Sequence, residues 1–182
     1  MIAQLHCPWG TSMKRIAAAA VLILFALPAW ATFQDGQDAY ERGDYETAFE
    51  EWLPFAEQGL AKAQVRLGWM YNQGEGVPQD YAEAAKWYRL AADRHWGLAI
   101  ARLNLGLLYE FGDGVPQDYV QAHMWFNLTV NAPHRYVAEQ AIENAIKSRD
   151  IVEGKMTSSE IEEAQRLARE WLAAHSCPLA CP

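Results

Sequence analysis

The sequence predicts an all-α fold, a solenoid of stacked helix-turn-helix repeats closed by further helices at its C-terminal end. Residues 67–81 recur as residues 105–119, with the same offset at every position. Self-similarity at a fixed period of roughly 20–50 residues is typical of repeat architectures. A shortened copy precedes them, since residues 40–52 hold the same kinds of residue in the same order around a tighter turn at Gly43-Asp44. The sequence therefore indicates three repeat units.

The first helix of each unit is predicted from the spacing of its apolar residues. Ala63, Leu67 and Tyr71 stand at i, i+4 and i+8, so they lie on one face of an amphipathic helix. Gly68, next to that stripe, leaves room for a neighbouring helix to approach closely. The same residue types return in the following copy, which predicts the same packing in the next unit.

A turn and a second helix follow in each unit. Residues 74–79 hold two glycines and a proline; glycine accepts a positive φ at a helix C-terminus, and proline cannot continue the helix. Asp80 with Glu83, and Asp118 with Gln121, have the spacing of a capping box. In such a box the first side chain accepts backbone N–H groups and the second reaches back. The second helix is therefore predicted to begin after each aspartate.

One long pattern is carried twice, by residues 63–88 and 101–126. It reads Ala-x-x-x-Leu-Gly-x-x-Tyr-x-x-Gly-x-Gly-Val-Pro-Gln-Asp-Tyr-x-x-Ala-x-x-Trp-Tyr, with Phe126 in place of the last tyrosine. The pattern resembles the Sel-one-like repeat, a relative of the tetratricopeptide repeat, over roughly residues 36–131. The resemblance implies a right-handed α/α superhelix that binds other proteins, commonly in bacterial envelopes or signalling pathways. Residues 32–131 are interpreted as three such units, of which the first departs from the long turn.

Residues 132–176 are predicted to form a helical cap on the last unit. Thr157 and Glu160 have the spacing of a capping box that opens the final helix. Solenoids need atypical terminal elements to cover the exposed end of the stack. Apolar residues recur at about helical spacing in two stretches: Val137, Ala141, Ala145 and Ile151, then Ile161, Ala164, Leu167, Ala168, Trp171 and Leu172. Residues 156–168 also resemble the tail that often follows bacterial Sel-one-like arrays.

Residues 1–31 have the order of parts of a secretory signal peptide. Lys14-Arg15 precede a twelve-residue apolar run, and Ala29-Trp30-Ala31 has the small-x-small form of a signal-peptidase site. A membrane anchor is the competing interpretation, but the run is shorter than the about 20 residues that a spanning helix needs. Cleavage after Ala31 would make Thr32 the first residue of a periplasmic or secreted protein without an integral membrane anchor. Met13, which begins a more orderly signal, is an alternative start.

The chain is acidic. Its formal net charge is -8, and it becomes -10 once Lys14 and Arg15 leave with the signal. Such a surface repels phosphate backbones and no cluster of lysine or arginine offsets it, so nucleic acid is not an expected ligand. The simplest explanation of the negative charge is that it keeps the protein soluble.

The mature chain retains two cysteines, Cys177 and Cys181, in a tail formed by residues 177–182. In an oxidising compartment they predict a small disulfide ring, since Pro178 disfavours a continued helix. A bridge to another chain and a pair of free thiols are the alternatives. Two thiolates with the nearby His175 do not complete a tetrahedral metal site.

The mature sequence carries no recognisable catalytic, metal or cofactor motif. No serine begins S-x-x-K or lies in G-x-S-x-G, and the histidines lack the H-x-x-x-H and H-E-x-x-H spacings. An envelope enzyme of β-lactamase or penicillin-binding type is the alternative, because some Sel-one-like envelope proteins resemble these. That branch carries a cysteine pair in each repeat, whereas residues 36–131 contain no cysteine. The sequence therefore predicts a non-enzymatic protein.

The first helices are the predicted surface for a protein or peptide partner, because in right-handed helix-pair solenoids they line the concave face. The candidates lie outside the apolar stripe: Lys62, Arg66, Trp69 and Gln73, with Ile100, Asn104, Leu107 and Phe111 as their counterparts in the next copy. Trp69, Leu107 and Phe111 would supply apolar anchors next to polar groups, which is the composition of a hot spot. Two roles stay open: a scaffold for an envelope complex, or a regulator that holds a sensor's periplasmic domain inactive.

Overall fold

A computed structural model of the chain describes residues 32–93, 99–132 and 139–175. Within these ranges the regular structure is entirely α-helical. The helices are α1 (Phe33–Glu41), α2 (Tyr45–Glu57), α3 (Ala61–Gln73), α4 (Tyr81–Ala92), α5 (Ala99–Phe111), α6 (Tyr119–Val130), α7 (Glu139–Glu153) and α8 (Ser158–His175). No helix among them has both the length and the apolar character required to cross a membrane. The predicted signal through Ala31 and the cysteines Cys177 and Cys181 lie outside the described residues.

The helices form a solenoid of helical hairpins, which confirms the predicted fold class. From α1 to α7 each helix packs against the next one along the chain. The three units are α1 with α2, α3 with α4, and α5 with α6. The last two helices depart from this order, because α7 packs on both α5 and α6, whereas α8 packs chiefly on α6. The cap therefore consists of two helices that cover the third unit separately.

The long turn has the same geometry in both complete units. Gly74 and Gly112 adopt left-handed conformations, with φ of 74° and 76°. The backbone N–H of Asp80 donates to the carbonyl of Tyr71 at 2.9 Å, and that of Asp118 donates to Tyr109 at 3.0 Å. The turn is thus closed by the N-cap residue of the following helix.

Only one half of the predicted capping box forms in each unit. The Asp80 carboxylate accepts the backbone N–H of Glu83 at 3.0 Å, and that of Asp118 accepts the N–H of Gln121 at 3.0 Å. Glu83 does not reach back, because the Asp80 N–H already closes the turn and the Glu83 carboxylate pairs with Lys86. By contrast, the box predicted at Thr157 and Glu160 is complete, with both side chains bonded to the other residue's backbone.

The two helices of each unit approach closely at a glycine. A Cβ atom on Gly36 would lie 2.5 Å from Nε1 of Trp52, and one on Gly106 would lie 2.5 Å from the ring of Phe126. In the second unit Gly68 faces Tyr88 in the same way. These three aromatic side chains of the second helices therefore pack directly against the glycine backbone of the first helices and are fully buried.

A second set of glycines joins one unit to the next. A Cβ atom on Gly76 would lie 2.5 Å from the backbone carbonyl of Tyr45, at the start of α2, and one on Gly114 would lie 2.2 Å from the backbone of Tyr81, at the start of α4. The turn of each unit thus rests directly on the N-terminus of the preceding unit's second helix.

Polar contacts join the C-terminal end of α7, and the residues directly after it, to the third unit. Nε2 of His123 on α6 lies 2.7 Å from the Glu153 carboxylate, and Nζ of Lys155 lies 3.7 Å from that of Glu110 on α5. Glu110 is only 4% exposed, and burial raises the pKa of its carboxyl group while Lys155 opposes that rise.

Two predicted cap positions differ from expectation. Ile151 of α7 and Leu172 of α8 belong to the apolar stripes read from the sequence, yet both side chains are exposed to solvent. Each lies near the C-terminal end of its helix. The apolar faces of α7 and α8 are therefore buried less completely at these ends than the spacing alone indicates.

Candidate protein-binding groove

An open groove runs between the first helices of the second and third units. It has a volume of about 370 Å³. Its lining consists of Lys62, Val65, Arg66 and Trp69 from α3, with Ile100 and Asn104 from α5. The structure therefore brings together five of the residues singled out in the sequence, from matching stretches of two successive units, and adds Val65 to them.

Helical spacing explains why these side chains share one face. On α3 the residues Ala63, Leu67 and Met70 are fully buried against the neighbouring helices. Lys62, Arg66 and Trp69 recur at i, i+4 and i+7, so they follow the adjacent stripe of the same helix. The core and the groove are therefore two faces of one amphipathic helix.

The apolar part of the groove is open to solvent. Trp69 keeps 39% of its surface exposed and Ile100 keeps 40%, although both are large apolar residues. Val65, which lines the same groove, is half-buried and also packs against the central cluster of buried residues, which includes Tyr88, Leu105 and Trp125. Water-exposed apolar side chains that converge in a concave surface are characteristic of ligand and partner sites.

Two cations border this apolar surface, and both contact residues of α1. Nζ of Lys62 lies 4.6 Å from the centroid of the Phe33 ring. The guanidinium carbon of Arg66 lies 5.4 Å from the Trp52 ring, and its Nη2 donates to Oε1 of Gln37 at 3.0 Å. These partners in α1 and α2 were not predicted, because contacts between the first unit and the second leave no periodic trace in the sequence.

Three other candidate residues lie outside the groove lining. Gln73 is exposed at the end of α3, and Phe111 is 64% exposed at the end of α5. Leu107 differs from the expectation of a free anchor. It is half-buried and packs in a cluster with Leu103 and with Ala141 of α7. The reason is that α7 covers the face of α5 on which Leu107 lies.

Four large aromatic side chains of the second helices lie in the core. These are Trp52, Tyr88, Trp125 and Phe126, which are almost completely buried. Trp87 is partly buried and packs against the cluster that contains Trp52, Leu67 and Met70. Trp69 is therefore set apart from the other tryptophans of the repeats by its position on a first helix and by its exposure.

Comparisons with known proteins agree with this architecture. The Sel1 repeat family matches residues 61–95 and 99–132. A similar solved structure is that of a protective antigen present in uropathogenic Escherichia coli strains, which displays an SLR fold. It is 29% identical, has a TM-score of 0.68, and aligns with 79% of this chain and 29% of its own length.

A second similar structure is that of a Sel1 repeat protein from Oxalobacter formigenes. It is 28% identical, with a TM-score of 0.57, and the alignment covers 77% of this chain and 56% of that protein. The chain thus spans less than a third of one relative and just over half of the other, and no curated protein sequence matches it. Two matching repeats, together with the shared hairpin solenoid, show that residues 61–95 and 99–132 of the chain are Sel1 repeats.

Proposed function

We propose that the groove between α3 and α5 binds a segment of a partner protein, and that the chain serves as a non-enzymatic scaffold of the bacterial cell envelope. Sel1 repeats generally mediate protein–protein interaction, and their fold is typically a non-catalytic scaffold. The binding face and the location in the envelope go beyond what membership of the family implies.

The exposure of Trp69 and Ile100 in one groove is the observation that carries this proposal. Neither side chain belongs to the buried core, which is built from Leu67 and Met70 on α3 and from Leu105 and Leu108 on α5. Leaving such surface in water has a cost of about 25 cal/mol per Å² that a bound partner would remove. Tryptophan is also enriched among the residues that dominate binding energy at interfaces.

The envelope location is supported by the order of parts within residues 1–31 and by the start of α1. Thr32 is the N-cap of this helix, and its side chain and backbone both bond to Asp35. A cut between Ala31 and Thr32 would therefore leave the first helix and its cap intact. One of the two similar structures is that of a protective antigen, and this likeness adds support to a location outside the cytoplasm.

Site-specific photo-cross-linking in cells that produce the protein tests the proposed face. A photoreactive residue in place of Ile100 should capture a partner, and the additional change Trp69→Ala should reduce the capture. Leu90 is the matched control, because it is similarly apolar and 49% exposed but lies on the second helix α4. Equal capture from positions 90 and 100 would contradict the assignment of the groove.

A further inference from the structure

We infer that the groove takes an acidic peptide, in which a carboxylate stands next to a large apolar side chain. Lys62 and Arg66 would hold the carboxylate, while Trp69 and Ile100 would receive the apolar side chain. This inference rests on the proposed function and specifies the chemistry of the partner.

The charge of the groove differs in sign from that of the whole chain. The chain has a formal net charge of -8, yet both charged residues that line the groove are cations one helical turn apart. Among the described residues neither cation has a carboxylate oxygen within ion-pair distance. The surface lysines Lys86 and Lys147 instead pair with glutamates on their own helices. The two groove cations therefore keep their full charge available for an incoming anion.

The cations are positioned by neutral groups. The ring of Phe33 holds the Lys62 ammonium, and the rings of Tyr40 and Trp52 flank Arg66. Gln37 accepts one N–H of Arg66, which leaves other donors of the guanidinium free. Because ordering a long side chain opposes binding, holding it in place beforehand favours association without neutralising its charge.

One acidic residue, Glu75, lies next to Tyr40, whose ring also flanks Arg66. Its carboxylate already has a neutral hydrogen-bond partner. The Tyr40 hydroxyl donates to the Glu75 carboxylate at 2.7 Å. The Arg66 guanidinium carbon lies 5.6 Å from the centroid of the same ring, and no ion pair joins it to Glu75 within the described part of the chain. Glu75 therefore does not form a direct ion pair with Arg66.

The remaining lining favours a peptide over other anions. Trp69, Val65 and Ile100 offer an apolar surface directly next to the cations. The amide of Asn104 can donate to and accept from a peptide backbone. A polyphosphate chain would meet the repulsion of the acidic surface beyond the groove, whereas a short peptide with one or two carboxylates would meet much less of it.

Selection from a displayed library of random short peptides tests the inference without knowledge of the natural partner. The library is selected on the wild-type protein, and each recovered peptide is then synthesised with its acidic residues and with the matching amides. Binding of both forms is measured by calorimetry to wild type and to the Lys62→Gln, Arg66→Gln double variant. The Lys86→Gln, Lys147→Gln double variant is the control, because it loses the same charge from second-helix and cap positions.

We expect peptides with Asp or Glu close to Leu, Phe or Trp. Their affinity should fall about tenfold or more when the acids become amides or when both groove cations are replaced, and it should be nearly unchanged in the control variant. The acid-to-amide comparison uses wild-type protein only, so it is independent of any effect of the substitutions on folding.

Two other outcomes separate the inference from the function on which it rests. If recovered peptides lose affinity with Trp69→Ala but bind equally as acids and amides, the groove binds peptides and the acidic preference is wrong. If the library yields no peptide whose binding depends on Trp69, both the groove assignment and the acidic preference fail.

Discussion

Gly68 lies directly against the ring of Tyr88. A Cβ atom on this glycine would fall 2.7 Å from both Cδ1 and Cε1 of the ring, which is closer than real Cβ atoms come to carbon. Gly106 and Phe126 repeat the relationship in the next unit. The spacing of the two helices in each hairpin is therefore set by a missing side chain on one helix and a large ring on the other.

Gly68→Ala should destabilise the protein. Overpacking of a filled core costs about 1–3 kcal/mol, which outweighs the roughly 0.5–1 kcal/mol that alanine contributes to helix stability over glycine. The measurement is the free energy of unfolding in urea. Gly154→Ala is the control, since the nearest atom to its added Cβ would be 3.4 Å away. Equal stability of the two variants would show that the Tyr88 ring can move aside.

Leu105→Ala should cost about 2–5 kcal/mol, because Leu105 is fully buried in the central cluster. Leu107→Ala should cost about 1 kcal/mol, since its side chain is half-buried against the cluster shared with α7. Thermal melts of both variants give the comparison. Similar losses would mean that α7 buries Leu107 as completely as the central core buries Leu105.

Glu110→Gln should change the pH dependence of stability. Burial raises the pKa of the Glu110 carboxyl in the folded state, so the folded protein holds this proton more tightly than the unfolded chain does. The contribution of this carboxyl group to the stability of the fold is fully present below its pKa in the unfolded chain. It is lost as the pH rises through its pKa in the folded protein. Wild type should therefore lose stability relative to Glu110→Gln as the pH rises from about 4 to 7, as followed by melting temperature.

Glu163→Gln provides a control of opposite sign. A hydrogen bond from Arg166 lowers the pKa of this exposed carboxyl group. Wild type should gain stability relative to Glu163→Gln as the pH rises through the carboxyl range. Slopes of the same sign for both variants would rule out burial as the cause at Glu110.

The exported protein should begin at Thr32. The backbone nitrogen of this residue lies 2.6 Å from the Asp35 carboxylate, so an α-ammonium group created there by cleavage would meet an anion already in place. N-terminal sequencing of protein from the envelope fraction measures the cleavage site. Recovery of an uncut chain from the cytosol would instead argue against export.

Periodic features were predictable from the sequence, and contacts between different units were not. The constant offset between the two copies placed Lys62 and Ile100, and Arg66 and Asn104, at matching positions of successive first helices, and the structure brings them into one groove. The anchoring of Lys62 on Phe33 depends on how α1 lies against α3, and no local pattern encodes that relationship. The position of Leu107 was missed for the same reason.

The turn glycines also had a use that the local pattern did not reveal. Gly74 was predicted to end α3, and its left-handed conformation does so. Gly76 was assigned to the same turn, but the backbone of Tyr45 in the preceding unit leaves no space for a side chain at that position. A single sequence shows that a glycine bends the chain and does not show what the bend touches.

The contact of Gly114 with the start of α4 bears on how such an array can change in length. Each complete unit carries both halves of this joint, a glycine for its predecessor and a helix start for its successor, so a duplicated internal unit would meet matching surfaces on both sides. The last helix start, at Tyr119, is covered differently, with the Lys155 ammonium 5.0 Å from the centroid of its ring. Insertion of a whole internal unit would therefore preserve these joints, whereas addition after α6 would require the cap to be displaced.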